Sequence, residues 1–102
     1  MAVINLVALI PNTISGRVIG NQLLRSATSI GANLIEGGAS SSRLEFKKFQ
    51  EIALKSGNET VYWLNLLIDS LLVSEDKVTA LLDEAEQICR MIASGVIKLK
   101  SK

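Results

Sequence analysis

Asn21-Gln-Leu-Leu-Arg-Ser-Ala-Thr-Ser-Ile-Gly-Ala-Asn-Leu-Ile-Glu36 is the stretch from which the fold is read. On an α-helix of about 3.6 residues per turn, Gln22, Arg25, Ser26, Ser29, Asn33 and Glu36 share one narrow arc. Leu23, Ala27, Ile30 and Leu34 form an apolar stripe on one side of it, and Leu24, Gly31 and Ile35 a second stripe on the other. A helix at the surface of a globular domain has one apolar face and one polar face. A hydrogen-bonding band between two apolar stripes needs more than one neighbour to cover it. Further helices are therefore expected on either side.

The chain supplies them. Val3, Ile4, Leu6 and Val7 within Met1 to Leu9, and Ile10 just after, keep helical spacing and read as the tail of a first helix whose start is cut short. Pro11 ends that pattern, because the residue before a proline is pushed out of helical geometry. Thr13 or Ser15 is expected to cap the second helix, from about Gly16 to Gly37. Gly20 and Gly31 lie inside it, each costing about 1 kcal/mol against alanine, so Gly31 is expected to admit a neighbouring helix. Glu36-Gly-Gly-Ala-Ser-Ser-Ser-Arg43 is a turn by composition and lacks the glycine spacing of a phosphate-binding loop.

Ser42-Arg-Leu-Glu45 is a capping box and marks the start of a third helix reaching about Val73. Phe46, Phe49, Ile52, Ala53, Trp63, Leu64, Leu67 and Leu71 carry its apolar spacing, and Gly57 is expected to make room for a backbone or for the polar arc. Ser74-Glu-Asp76 starts a fourth helix, with a serine cap and two acids at the positive helix end. Val78, Leu81, Ala85, Ile88, Ile92, Val96 and Leu99 recur at intervals of three and four, the spacing of a bundle seam. Short connections between four such helices predict an all-α, antiparallel up-down four-helix bundle, one domain over residues 1–102.

Composition limits the chemistry. There is no histidine and one cysteine, Cys89, so neither a disulfide within the chain nor the usual zinc sets can be built. Pairs of histidine with serine or cysteine are excluded, and no cofactor or metal is expected. Cys89 lies within a turn of the fourth-helix seam and reads as a buried, inert thiol. Lys98, Lys100 and Lys102 read as a frayed, solvated end. Hydrophobic residues make up 48% and charged residues 21%, apolar for so small a domain. No apolar run approaches the roughly 20 residues of a membrane span, and Met1 to Pro11 lacks the basic start of a signal peptide. A cytoplasmic oligomer that buries apolar surface between copies is the expectation.

Net charge is +1, but it is divided. Residues 17–55 carry six bases against three acids, a net of +3, and residues 56–102 carry five bases against seven acids, a net of −2. Arg17, Arg43, Lys47 and Lys48 are the candidate phosphate contacts within the basic half, and solvated helix faces are the plainer reading. Glu36 and Glu59 lie among apolar residues, and a buried carboxylate needs a partner. Arg25 is the only base on the polar arc. Gln22, Arg25, Ser29, Asn33, Glu36 and Glu59 are therefore expected to form a structural network rather than an active site.

Gln22-Leu23-x-Arg25, Ser29-Ile30-x-x-Asn33 and Glu36-Gly37, followed by Phe49-x-x-Ile52-Ala53-x-x-Ser56-x-x-Glu59, make the chain resemble the 23S rRNA-intervening-sequence protein family. Arg25 to Asn33, Ile52-Ala-Leu-Lys55 and Asn58-Glu-Thr-x-Tyr-Trp-Leu64 are similar to one branch of it. Its common form has proline at Gly31 and glycine at Lys55, so the proline that would kink helix two in that form is missing here. The resemblance implies a four-helix bundle that assembles into a ring, typically a homopentamer. The chain is also similar to the accessory variability proteins of diversity-generating retroelements, which implies RNA or DNA and a reverse transcriptase or another protein as partners. Two functions compete: a non-enzymatic nucleic-acid or ribonucleoprotein module, and a structural or protein-interaction oligomer. An enzyme built on Glu36 and Glu59 ranks last, since no nucleophile accompanies them.

Overall fold

The computed structural model of the chain describes residues 2–100, with side chains through residue 99. Four helices follow one another among these residues: α1 (Ala2–Ala8), α2 (Ile14–Gly38), α3 (Arg43–Ser70) and α4 (Glu75–Lys100). They make a bundle 46 Å long and 19 Å across. The 28 residues of α3 alone would span about 42 Å, so the long helices run its whole length.

Local chemistry sets the boundaries. The Thr13 hydroxyl accepts the Gly16 N–H at 3.0 Å, which selects Thr13 over Ser15 as the cap of α2. A side chain at Gly16 would collide with the Pro11 carbonyl, so this entry turn requires glycine. The Ser42 hydroxyl accepts the Glu45 N–H at 3.1 Å and starts α3. That helix ends at Ser70, three residues short of the expected Val73, because Leu71 takes a left-handed conformation at φ 60 and ψ 20. Without proline at position 31, α2 is continuous from Ile14 to Gly38. The fourth helix continues through Lys100, past the fray expected at Lys98, while Lys102 and Met1 lie outside the described residues.

The core has two parts. Val3, Leu6, Ile19, Leu23, Leu64, Leu67, Val73, Val78 and Ala85 are buried together at the α1 end. Ile30, Ala53, Ile92 and Val96 are buried at the other, with Leu34, Leu54 and Ile88 packed against them. Every expected seam residue of α4 is buried or half-buried, whereas Ile52 and Leu71 of the α3 pattern are exposed. Both α2 and α4 pack on α3, and no Cα of α2 comes within 8 Å of one of α4. The seven residues of α1, about 10 Å of helix, bridge α2 and α4 at one end only. Beyond α1 the space between α2 and α4 remains an open apolar groove of about 570 Å³.

Two glycine expectations are revised here. Gly31 admits no helix of its own chain, since a Cβ built there meets nothing within 4 Å. Gly57 makes room for neither a backbone nor the polar arc but for Cys89, whose Sγ would lie 2.7 Å from a Cβ at that position.

Candidate functional site

The polar arc of α2 faces α3, where α3 presents its smallest residues. Ser26 is buried and Thr60 donates to its hydroxyl at 3.0 Å; Thr60 also lies 2.8 Å from the Ser56 carbonyl. One α3 turn away, the Ser29 and Ser56 hydroxyls are 2.8 Å apart. Asn33 donates to the Ser29 carbonyl at 2.8 Å and to its hydroxyl at 3.1 Å. Fully buried Ala53 flanks these groups on α3. Short side chains let the two helices approach, and the hydroxyls find partners across the seam or on the preceding turn. Among the described residues no buried side-chain nitrogen or oxygen is left without a partner.

At the open edge of this seam Arg25 donates to the Gln22 side chain at 3.0 and 3.1 Å and to Glu59 Oε2 at 2.8 Å. The ion pair is solvated, with the Arg25 side chain 60% exposed and that of Glu59 35% exposed. Glu36 corrects the expected network. It is exposed on the last turns of α2, and its side chain makes no hydrogen bond or ion pair among the described residues. The hydrogen bonds thus join Gln22, Arg25 and Glu59 in one group and Ser29 and Asn33 in another. Ser56 and Thr60 belong to the second group and were missed as partners. Their signal was the Ser56-x-x-x-Thr60 spacing, which places two hydroxyls on one helix face.

The basic candidates do not form one set. Arg17, in the first turns of α2, donates to the Asn12 side chain at 3.1 Å. Arg43 lies at the other end, since the 20 residues from Arg17 to Gly37 span about 30 Å of helix. Its guanidinium donates to the Leu99 carbonyl at 3.4 Å, near the negative end of α4. Lys47, Lys48 and Lys55 border a shallow hollow of α3 with Glu45, Glu51 and exposed Leu44. The structure gathers Arg43, Lys47 and Lys48 at one end, interleaves them with acids and leaves Arg17 apart.

Reactive groups are sparse. Cys89 is free and half-buried rather than fully buried, and burial raises its thiol pKa above the ordinary 9.0; Glu86 adds to the rise and Arg90 opposes it. A thiol so held is protonated at neutral pH and a poor nucleophile. Among the described residues no three His, Cys, Asp or Glu side chains gather to hold a metal ion, and no helix is long and apolar enough to cross a membrane.

The surface is otherwise notable for what the protomer leaves uncovered. Ile14, Ile35, Leu44, Leu71 and Met91 are each more than 70% exposed. The second stripe of α2 stays open, with Gly31 and Ile35 exposed and Leu24 half-buried.

The model of the 23S rRNA-intervening sequence proteins matches residues 1–94. A crystal structure of a protein of unknown function from the S23 ribosomal protein family of Bacteroides thetaiotaomicron superposes with a TM-score of 0.84 at 35% identity, covering 92% of this chain and 87% of that one. A search of curated proteins gave no match.

Proposed function

Since the chain belongs to the 23S rRNA-intervening sequence protein family, whose solved relative is itself of unknown function, we propose that it acts as a non-enzymatic assembly module. In this reading its helices are completed by contacts between copies. The carrying observation is the set of large apolar side chains that the protomer exposes on all three long helices, such as Ile35 at 74%, Leu44 at 77% and Met91 at 73%. A monomer seldom presents so many, and surface of this kind marks protein contacts. A ring of five copies is the assembly the family resemblance suggests. Sedimentation velocity between about 1 and 100 µM, with and without 0.5 M NaCl, tests the reading. Apolar assembly persists in high salt, whereas a monomer throughout overturns it.

A second reading places nucleic acid on the basic end of α3. It is favoured by the clustering of Arg43, Lys47 and Lys48 and by a family name that refers to ribosomal RNA sequences. An oligomer would repeat this weak face and gain by avidity. Polarisation of a labelled single-stranded RNA at low salt checks it. Binding should fall steeply with salt and with joint replacement of these three residues by glutamine; equal binding by the triple variant removes them from any site.

A further inference from the structure

Two shallow hollows follow one another along the outer face of α3. The first reaches from Ser42 to Lys55 and the second from Glu51 to Trp63, and Glu51 and Lys55 border both, so they form a single furrow. Leu44, Lys48, Glu51, Lys55 and Tyr62 line it at spacings of four, three, four and seven, which keep them on one side of the helix. Lys48, Lys55 and Tyr62 are exposed and seven residues apart, about 10 Å of helix for each step. The amines of Lys47, Lys48 and Lys55 enter no hydrogen bond or ion pair among the described residues. Of the acids beside them, Glu59 already holds Arg25 at 2.8 Å, which leaves Glu45 and Glu51. With Arg43 at its head and Arg25 at its side, the furrow carries five bases against three acids. At its far end Tyr62 is 58% exposed, and its ring meets that of half-buried Trp63 edge-on at 4.9 Å and 77°. This contact steadies an aromatic ring that the protomer leaves mostly in solvent.

We propose that a single strand of RNA or DNA lies along this furrow, with phosphates against Lys48 and Lys55 and one base stacked on Tyr62. This rests on the nucleic-acid reading above and adds to it the strandedness of the ligand and an aromatic contact. An exposed ring in line with spaced cations matches the chemistry of a single strand, whose backbone is charged and whose base faces are free. In a duplex those faces are covered by the neighbouring pairs. Nor can α3 enter a duplex as a recognition helix. Both α2 and α4 pack on it, and the bundle is 19 Å across against about 12 Å for a major groove. Stacking also supplies affinity that so modest a charge excess lacks, and it accepts any base.

The test is polarisation of labelled oligouridylate and oligothymidylate of about 12 nucleotides, and of the same DNA annealed to its complement, titrated with the full chain at low salt. Tyr62→Ser and Tyr62→Phe change an exposed position, so both variants should keep the wild-type circular dichroism. Wild type should bind at least one of the single strands more tightly than the duplex. Tyr62→Ser should weaken that binding about fivefold or more, and Tyr62→Phe, which keeps the ring, should stay within about twofold of wild type. Equal binding of strand and duplex, or a Tyr62→Ser chain that binds as the wild type does, overturns this proposal. If binding then still falls on joint replacement of Arg43, Lys47 and Lys48, the nucleic-acid reading stands without it. A wild-type chain that binds neither single strand overturns both.

Discussion

The hydroxyls of Ser26 and Thr60 meet at 3.0 Å in the middle of the α2–α3 interface, where both residues are buried. Two hydroxyl protons there serve three acceptors, since Ser26 also reaches the Leu23 carbonyl at 3.2 Å and Thr60 the Ser56 carbonyl. Either hydroxyl can lose its neighbour and keep a backbone partner. Thr60→Val should therefore cost only about 0.5–1.5 kcal/mol in urea unfolding followed by Trp63 fluorescence. Ser26→Leu should cost about 1–3 kcal/mol, because the added volume has nowhere to go in a fully buried position.

Gly57→Ala tests the closest approach of α3 and α4. Helix propensity favours alanine by about 1 kcal/mol, but its Cβ would stand 2.7 Å from Cys89 Sγ. The clash should win, with a net loss of about 1–2 kcal/mol. Combining it with Cys89→Ala should recover most of that loss, a coupling that thermal unfolding of the four chains would read directly.

Arg25→Met should have little effect on the protomer. The Arg25–Glu59 pair lies in solvent, where such pairs contribute about 0.2–1 kcal/mol, and Glu36 does not depend on it. A loss of several kcal/mol in the melting curve would show that Arg25 is covered in the assembled protein.

Leu71→Gly should stabilise the chain. Leu71 ends α3 in the left-handed region and is 85% exposed, so it bears the cost of that conformation with little burial in return. Glycine there should gain about 0.5–1 kcal/mol, a rise of roughly 2–8 °C in melting temperature.

These contrasts show what was legible in the sequence. Three of the four helix starts and the α4 seam could be read from Thr13, Ser42, Ser74 and the spacing from Val78 to Leu99, because caps and periodicity are local. The polar arc was legible as an arc, but which of its members were buried was not. Its breadth exceeded the contact, so α3 covers Ser26 and Ser29 and leaves Arg25 and Glu36 toward solvent. Gly31 and Gly57 looked alike in one dimension, and only the placement of α4 separates the one that packs from the one that does not. The basic residues failed as a single set because α2 and α3 start at opposite ends of the bundle, which separates Arg17 from Arg43.

Cys89 makes stability depend on pH. Its folded thiol pKa is raised, chiefly by burial, so between the unfolded and folded values the unfolded chain binds fewer protons. This contribution is intact below the ordinary 9.0 and declines as the pH rises through that region toward the folded value. Urea midpoints at pH 7, 9 and 10 should show the decline, and Cys89→Ala should lessen it.

The mass of the protein in solution tests most directly whether its copies associate. Light scattering on the eluting wild-type chain at about 10 µM should give two or more times 11.0 kDa, since the open face of α2 and the exposed side chains of α4 are read as contacts between copies. A value of 11.0 kDa at that concentration, unchanged on tenfold concentration, would contradict it.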